Sequence, residues 1–221
     1  MLPQTTLLLQ SRPSSPTPET AVAGQSQVPF VGLTGGMGAG KSTALAALEG
    51  LGAATLSTDA VVHELYLGPE VRDAVVARWG PGVAPEGTVD RAAVASKAFE
   101  DPAERKWLEG LLWPLVGTRI GEWLASVRAA IPPPRAAIVE VPLLFEANMQ
   151  EIFDATIAVV AEEALRRQRA EGRGHALADE RVARQLSQED KAARATFAVH
   201  NDGSEPELAA KLSAVLDKLE A

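Results

Sequence analysis

Apolar and polar positions along the chain fall into two regimes. Short unbroken apolar runs, closed by glycine or an acid, stand between longer stretches with helical spacing. The runs at 28–34, 53–56, 136–141, 155–161 and 196–199 predict buried strands. The stretches at 44–51, 59–67 and 69–79 predict helices, broken by Gly52, by Gly68-Pro69 and by Gly80-Pro81-Gly82. Asp90 caps a helix running to Phe99, and Asp101-Pro102 is a cap followed by a first-turn proline. That helix is expected to end near Trp113-Pro114, with another from Pro114 to about Ala130. Helices over 162–170 and 178–186 flank a loop tip at Gly172-Arg173-Gly174, and an amphipathic helix over 208–219 follows. Strands alternating with helices predict an α/β layered fold with a mostly parallel sheet. The helical block from about 69 to 130 is too long for a crossover and reads as an inserted subdomain. Residues 1–27 hold Pro3, Pro13, Pro16 and Pro18 among Ser, Thr and Gln, and are expected to form a disordered tail.

Composition narrows the partners. A net charge of −8 opposes attraction to nucleic acid or anionic lipid. No apolar run approaches the ~20 residues of a bilayer span. A chain without cysteine offers no disulfide, thiolate nucleophile or iron–sulfur ligand, and suits a cytoplasmic location. Three scattered histidines, His63, His175 and His200, argue against a His-rich metal site.

The densest chemical signal is Gly35-Gly36-Met37-Gly38-Ala39-Gly40-Lys41-Ser42, followed by Thr43. It fits G-x-x-x-x-G-K-[ST], between a strand and a helix. Glycines let backbone amides wrap phosphate oxygens, and the helix N-terminus adds positive charge. Lys41 reaches the β/γ-phosphates and Ser42 offers a hydroxyl to Mg²⁺. A nucleoside triphosphate is therefore the expected ligand. The chain lacks an N-K-x-D guanine reader and a D-x-x-G switch, which argues against a GTPase.

Asp59 follows the second strand, on the rim where ligands of parallel sheets gather. It reads either as a proton acceptor for an attacking hydroxyl or as the cap of the next helix. Glu140 closes an apolar strand, and reads as a Mg²⁺ support acting through water or as a rim carboxylate paired with a cation. Arg166, Arg169 and Arg173 share one helical face, as do Arg181 and Arg184, with glycines between. They suggest a lid that excludes water and neutralises phosphoryl charge; the interleaved acids allow a solvated face instead.

In this order the motifs resemble the dephospho-CoA kinase family. The matching pieces are the loop from Gly32 to Thr43, Thr58-Asp59, Gly87-Thr88-Val89-Asp90-Arg91 and Pro142-Leu143-Leu144-Phe145-Glu146. The stretch from Arg181 to Gln185 and Asn201-Asp202-Gly203-Ser204 complete the set. The chain departs from the family pattern at Ser57, where D-x-D is common, at His63 for Arg, and at Trp113-Pro114 for His-Pro.

The resemblance implies a single P-loop kinase domain over 28–221. Its core would be 28–59 and 135–221, with a helical acceptor-binding insert over about 60–130 and a lid over about 162–187. It implies transfer of the ATP γ-phosphoryl to the ribose 3′-hydroxyl of dephospho-CoA, with Mg²⁺, in the last step of coenzyme A synthesis. Gly36, Met37, Gly38, Ala39, Gly40, Lys41, Ser42 and Thr43 would hold ATP, with Arg169, Arg173, Arg181 and Asn201. Asp59 and Lys41 would be catalytic, and His63, Arg91, Pro142 and Leu143 would meet the acceptor. No protein partner is implied. The rival readings are a kinase of another small molecule on the same fold and a non-catalytic ATP-binding switch.

Overall fold

The computed structural model describes residues 28–171 and 185–221. Five strands form one sheet in the order β2-β3-β1-β4-β5, with every neighbouring pair parallel. They are β1 (Phe30–Gly35), β2 (Ala54–Ser57), β3 (Ala137–Glu140), β4 (Ala155–Val160) and β5 (Phe197–His200). Every residue of β1, β3 and β4 is buried. A strand covered on both faces has no solvent side to mark with polar residues, so it reads as a continuous apolar run.

Helices cover both faces. On one, α1 (Lys41–Gly50) and α8 (Glu205–Leu219) place Leu48, Leu212 and Leu216 against Val31, Ile138 and Ile157. On the other, the second half of α5 (Pro102–Arg128) brings Ile120 and Val127 onto Val139, Leu144 and Phe153. This is the three-layer α/β arrangement that the alternation of strands and helices predicts.

A third apolar cluster belongs to the helical block. There α2 (Thr58–Leu67), α3 (Pro69–Trp79), α4 (Arg91–Glu100) and the first half of α5 enclose Tyr66, Val71, Val75, Val94 and Leu108. Asp90 caps α4 by accepting from the amides of Ala92 and Ala93, and Asp101 caps α5 by accepting from that of Ala103. Both caps are as the sequence predicts.

The expected break at Pro114 is absent: α5 is one helix of 27 residues with Pro114 inside it. An interior proline lacks the amide and crowds the carbonyl four residues back, which costs about 3 kcal/mol in an isolated helix. Here Leu108 and Leu112 anchor the helix in the block's core, and Ile120 and Val127 anchor it in the sheet's core. Packing on both sides of Pro114 offsets the local penalty. The Thr118 hydroxyl donates to the Pro114 carbonyl at 3.1 Å.

Two helices begin earlier than their apolar spacing suggests. α1 starts at Lys41, straight from the glycine loop. α8 starts at Glu205, where Ser204 and Glu207 form a capping box. α6 (Glu163–Glu171) is as expected, whereas α7 (Gln188–Arg194) was not anticipated. The readable signal for α7 is its cap, since Ser187 Oγ accepts from the Asp190 amide at 3.0 Å. The expectations for residues 1–27, for Gly172, Arg173 and Gly174, and for Arg181 and Arg184 lie outside the described residues. Of the helix expected over 178–186 only Gln185 and Leu186 are among the described residues, and both are non-helical. Among the described residues no helix is long and apolar enough to cross a membrane.

Candidate active site

Parallel pairing puts all five strand C-termini on one rim, and register decides which side chains meet there. Glu140 stands level with Leu33 of β1 and with Ser57 of β2. The phosphate-loop sequence leaves β1 just past Leu33, and α2 leaves β2 just past Ser57. The loop and the start of α2 therefore flank the end of β3.

The loop needs glycine for two separate reasons. Gly38 and Gly40 have φ of 73° and 90°, in the left-handed region. They are also crowded: a Cβ on Gly38 would run into the Arg166 backbone, and one on Gly40 into the Asn201 amide. Asn201 is buried, and its Nδ2 donates to the Ala39 carbonyl at 2.8 Å. Arg169 donates to the Asn201 carbonyl at 3.3 Å, and Arg166 Nε donates to the Met37 carbonyl at 2.9 Å. Two of the expected ATP-site residues, Asn201 and Arg169, thus brace the loop from behind and beside it. Arg166, not singled out from its neighbours in the sequence, lies directly against it.

Gly40 is the N-cap residue of α1, so Lys41, Ser42 and Thr43 form its first turn. Lys41 Nζ donates to the Gly36 carbonyl at 3.3 Å. Ser42 is exposed. On α2 the N-cap is Ser57, and Asp59 is the second helical residue, exposed in the first turn. The cap position that the sequence left open for Asp59 is therefore filled by Ser57.

Glu140 is 8% exposed. Burial pushes its carboxyl above the ordinary range, Lys41 and a hydrogen bond from Ser57 pull it down, and the charge of Asp59 pushes it up. Lys41, Ser57, Asp59 and Glu140 are thus within electrostatic reach of one another. Thr58 Oγ1 donates to the Glu140 carbonyl at 2.9 Å, which ties α2 to the end of β3. Ser42 and Glu140 are oxygen donors, the type Mg²⁺ takes together with phosphates and waters, so the residues present fit that ion. No group of three or more His, Asp or Glu among the described residues could hold a metal by itself.

Two expected acceptor residues also meet. Arg91 Nη1 and His63 Nδ1 are 2.8 Å apart. Arginine can only donate, so Nδ1 accepts and the imidazole proton sits on Nε2. His63 lies one turn after Asp59 on the same face of α2. Pro142 and Leu143 follow β3, with Pro142 O accepting from Thr34 Oγ1 at 3.3 Å.

A cleft of about 560 Å³ opens beside the loop, lined by Gly36, Arg166, Gln188, His200 and Asp202 among others. Gln188 bridges the backbone of Ala161, donating to its carbonyl and accepting from its amide, both at 2.9 Å. A second cavity, of about 370 Å³, lies in the helical block between Arg78, Trp79, Lys97 and Glu104. Its Arg78 and Trp79 both donate to Glu104.

A family model described as dephospho-CoA kinase matches residues 29–207. A dephospho-CoA kinase of Anaeromyxobacter dehalogenans is 37% identical over 194 residues, covering 86% of this chain and 91% of that protein. One from Mycolicibacterium paratuberculosis is 39% identical over 183 residues, 80% of this chain, and this chain spans 44% of its length. The crystal structure of TT1252 from Thermus thermophilus aligns with a TM-score of 0.73 at 32% identity, covering 88% of this chain and 100% of that one.

Proposed function

The chain belongs to the dephospho-CoA kinase family and is an ATP-dependent kinase of dephospho-CoA, and on that premise we propose how its rim performs the transfer. The observation that carries the proposal is the convergence of Lys41, Asp59 and Glu140 at the ends of β1, β2 and β3. ATP lies with its phosphates in the loop from Gly36 to Thr43 and its base in the cleft between α6 and α7. Lys41 and the loop amides take up negative charge on the β- and γ-phosphoryl groups. Arg169 adds to this from α6, and Arg173 and Arg181, outside the described residues, complete the proposed set.

The acceptor enters from the side of the helical block, over 60–130, where His63 and Arg91 bind its phosphates and Pro142 and Leu143 shape its path. Asp59 accepts the proton of the ribose 3′-hydroxyl as its oxygen forms a bond to the γ-phosphorus. The bond from that phosphorus to the β–γ bridging oxygen breaks, and ADP leaves with the bridging oxygen. Ser42, directly, and Glu140, through water, would hold a Mg²⁺ ion. When bound, that ion neutralises charge on the β- and γ-oxygens. Glu140 stands level with Leu33 and Ser57 on the rim, and burial raises its carboxyl above its ordinary value. In this reading the enzyme works in the cytoplasm at the last step of coenzyme A synthesis.

The experiment is ADP release with ATP, Mg²⁺ and dephospho-CoA, against AMP, CMP and shikimate as acceptors. Turnover with dephospho-CoA alone is the expected result. Turnover only with a nucleoside monophosphate, or ATP hydrolysis independent of any acceptor, would overturn the proposal.

A further inference from the structure

Lys191 is the one fully buried charged side chain among the described residues, and neither the phosphate loop nor the rim carboxylates use it. A buried ammonium is costly unless its bonds are made. Lys191 Nζ donates to the Pro142 carbonyl at 2.7 Å and pairs with Glu146 Oε1 at 3.0 Å. Both acceptors carry further bonds. The Pro142 carbonyl also accepts from Thr34 Oγ1, one residue before Gly35 and the phosphate loop. Glu146 Oε1 also accepts from the Leu186 amide at 2.8 Å, just before α7. One ammonium on α7 therefore ties together the end of β1, the segment after β3 and the approach to α7. That segment carries Pro142 and Leu143, the proposed acceptor contacts, and its next two residues, Leu144 and Phe145, are buried in the core.

We propose that Lys191 is a positioning residue for phosphoryl transfer. Through the Pro142 carbonyl and Glu146 it holds the acceptor-side segment at a set distance from the phosphate loop. A transfer reaction needs both substrates in register, and a displacement of about 1 Å costs about 10²-fold in rate. The inference rests on the assignment of Pro142 and Leu143 to the acceptor side. It goes beyond that assignment by naming the group that places them.

The test must separate positioning from folding. Lys191→Met leaves the Glu146 carboxylate buried without its cation, and can fail to fold for that reason alone. The decisive variant is therefore Lys191→Met with Glu146→Met. Replacing both charges of a buried pair by apolar groups is often neutral or stabilising. Thermal melting, kcat, and KM for each substrate are measured on the wild type, the double variant and Lys191→Arg. The expected double variant melts cooperatively close to the wild type. Its KM for dephospho-CoA rises or its kcat falls by about tenfold or more, and KM for ATP moves by less than about threefold. Lys191→Arg keeps the cation and recovers part of the loss. A double variant with wild-type constants overturns the inference, as does one that cannot fold, or one in which both KM values shift together. Wild-type protein inactive on dephospho-CoA would instead overturn the acceptor assignment itself.

Discussion

Asp59 and Gly40 show how little of a residue's role lies in its own chemistry. Asp59 precedes a helix in sequence, as a cap would, but Ser57 takes the cap and leaves Asp59 exposed on the first turn of α2. Asp59→Asn keeps size and polarity and removes the proposed proton acceptor. It is expected to bind ATP normally and to lose about 10²–10⁴ in kcat, read by titration and by steady-state kinetics side by side. Gly40 combines a φ of 90° with a Cβ position already filled by the Asn201 amide. Left-handed backbone costs an L-residue about 1–2 kcal/mol before any clash is counted. Gly40→Ala is therefore expected to weaken ATP binding by about tenfold or more, measured by calorimetry.

Among the elements, α5 is the most informative. Its sequence contains a helix breaker, and its surroundings keep the helix whole. Its two halves sit in different apolar clusters, so it links the helical block to the sheet as one rod. Pro114→Ala restores the backbone donor and removes the ring. Stability is expected to rise by about 1–3 kcal/mol in urea unfolding. Had the chain broken at Pro114 as its local sequence predicts, the two halves would be free to change angle, and the helical block would not be tied to the sheet through one helix. α7 teaches the opposite lesson. It is too short for periodicity to show, and its charged sequence reads as a solvated face. Yet it buries Lys191 completely, and only the Ser187 cap marks it in advance.

For the molecule as a whole, the rim is assembled at some cost to stability, and Glu140 makes that measurable. Its native pKa lies above the ordinary carboxylate range, chiefly through burial. Between the unfolded and native values the native state holds more protons than the unfolded chain. Stability therefore falls as pH rises through that window, and the loss is complete above it. Glu140→Gln is expected to flatten that limb of the stability–pH profile and to raise stability above the window. Urea midpoints from about pH 4 to pH 8 for both proteins check this. The same variant is expected to be impaired in turnover, which separates the carboxylate's use from its cost. The net charge of −8 fits this picture as well. It opposes polyanions on average, while the loop amides, Lys41 and the α6 arginines concentrate positive potential on one rim.

By itself the sequence determined the strands, most of the helices, the phosphate loop and the family. Each of these is written locally: apolar runs with nothing polar to alternate, caps beside proline, and glycines spaced to bare the backbone. Asp59 and Glu140 were legible as candidates because one lies just past a strand and the other ends one. That Ser57 takes the cap and that Glu140 is buried was not legible, because burial is set by neighbours distant in the chain. Tertiary structure alone decided that α5 runs through Pro114, that Asn201 and Arg166 brace the loop, and that Lys191 is buried. Each depends on contacts between segments tens of residues or more apart. Such contacts take their energy from packing and desolvation, and leave no periodic trace in the segments that make them.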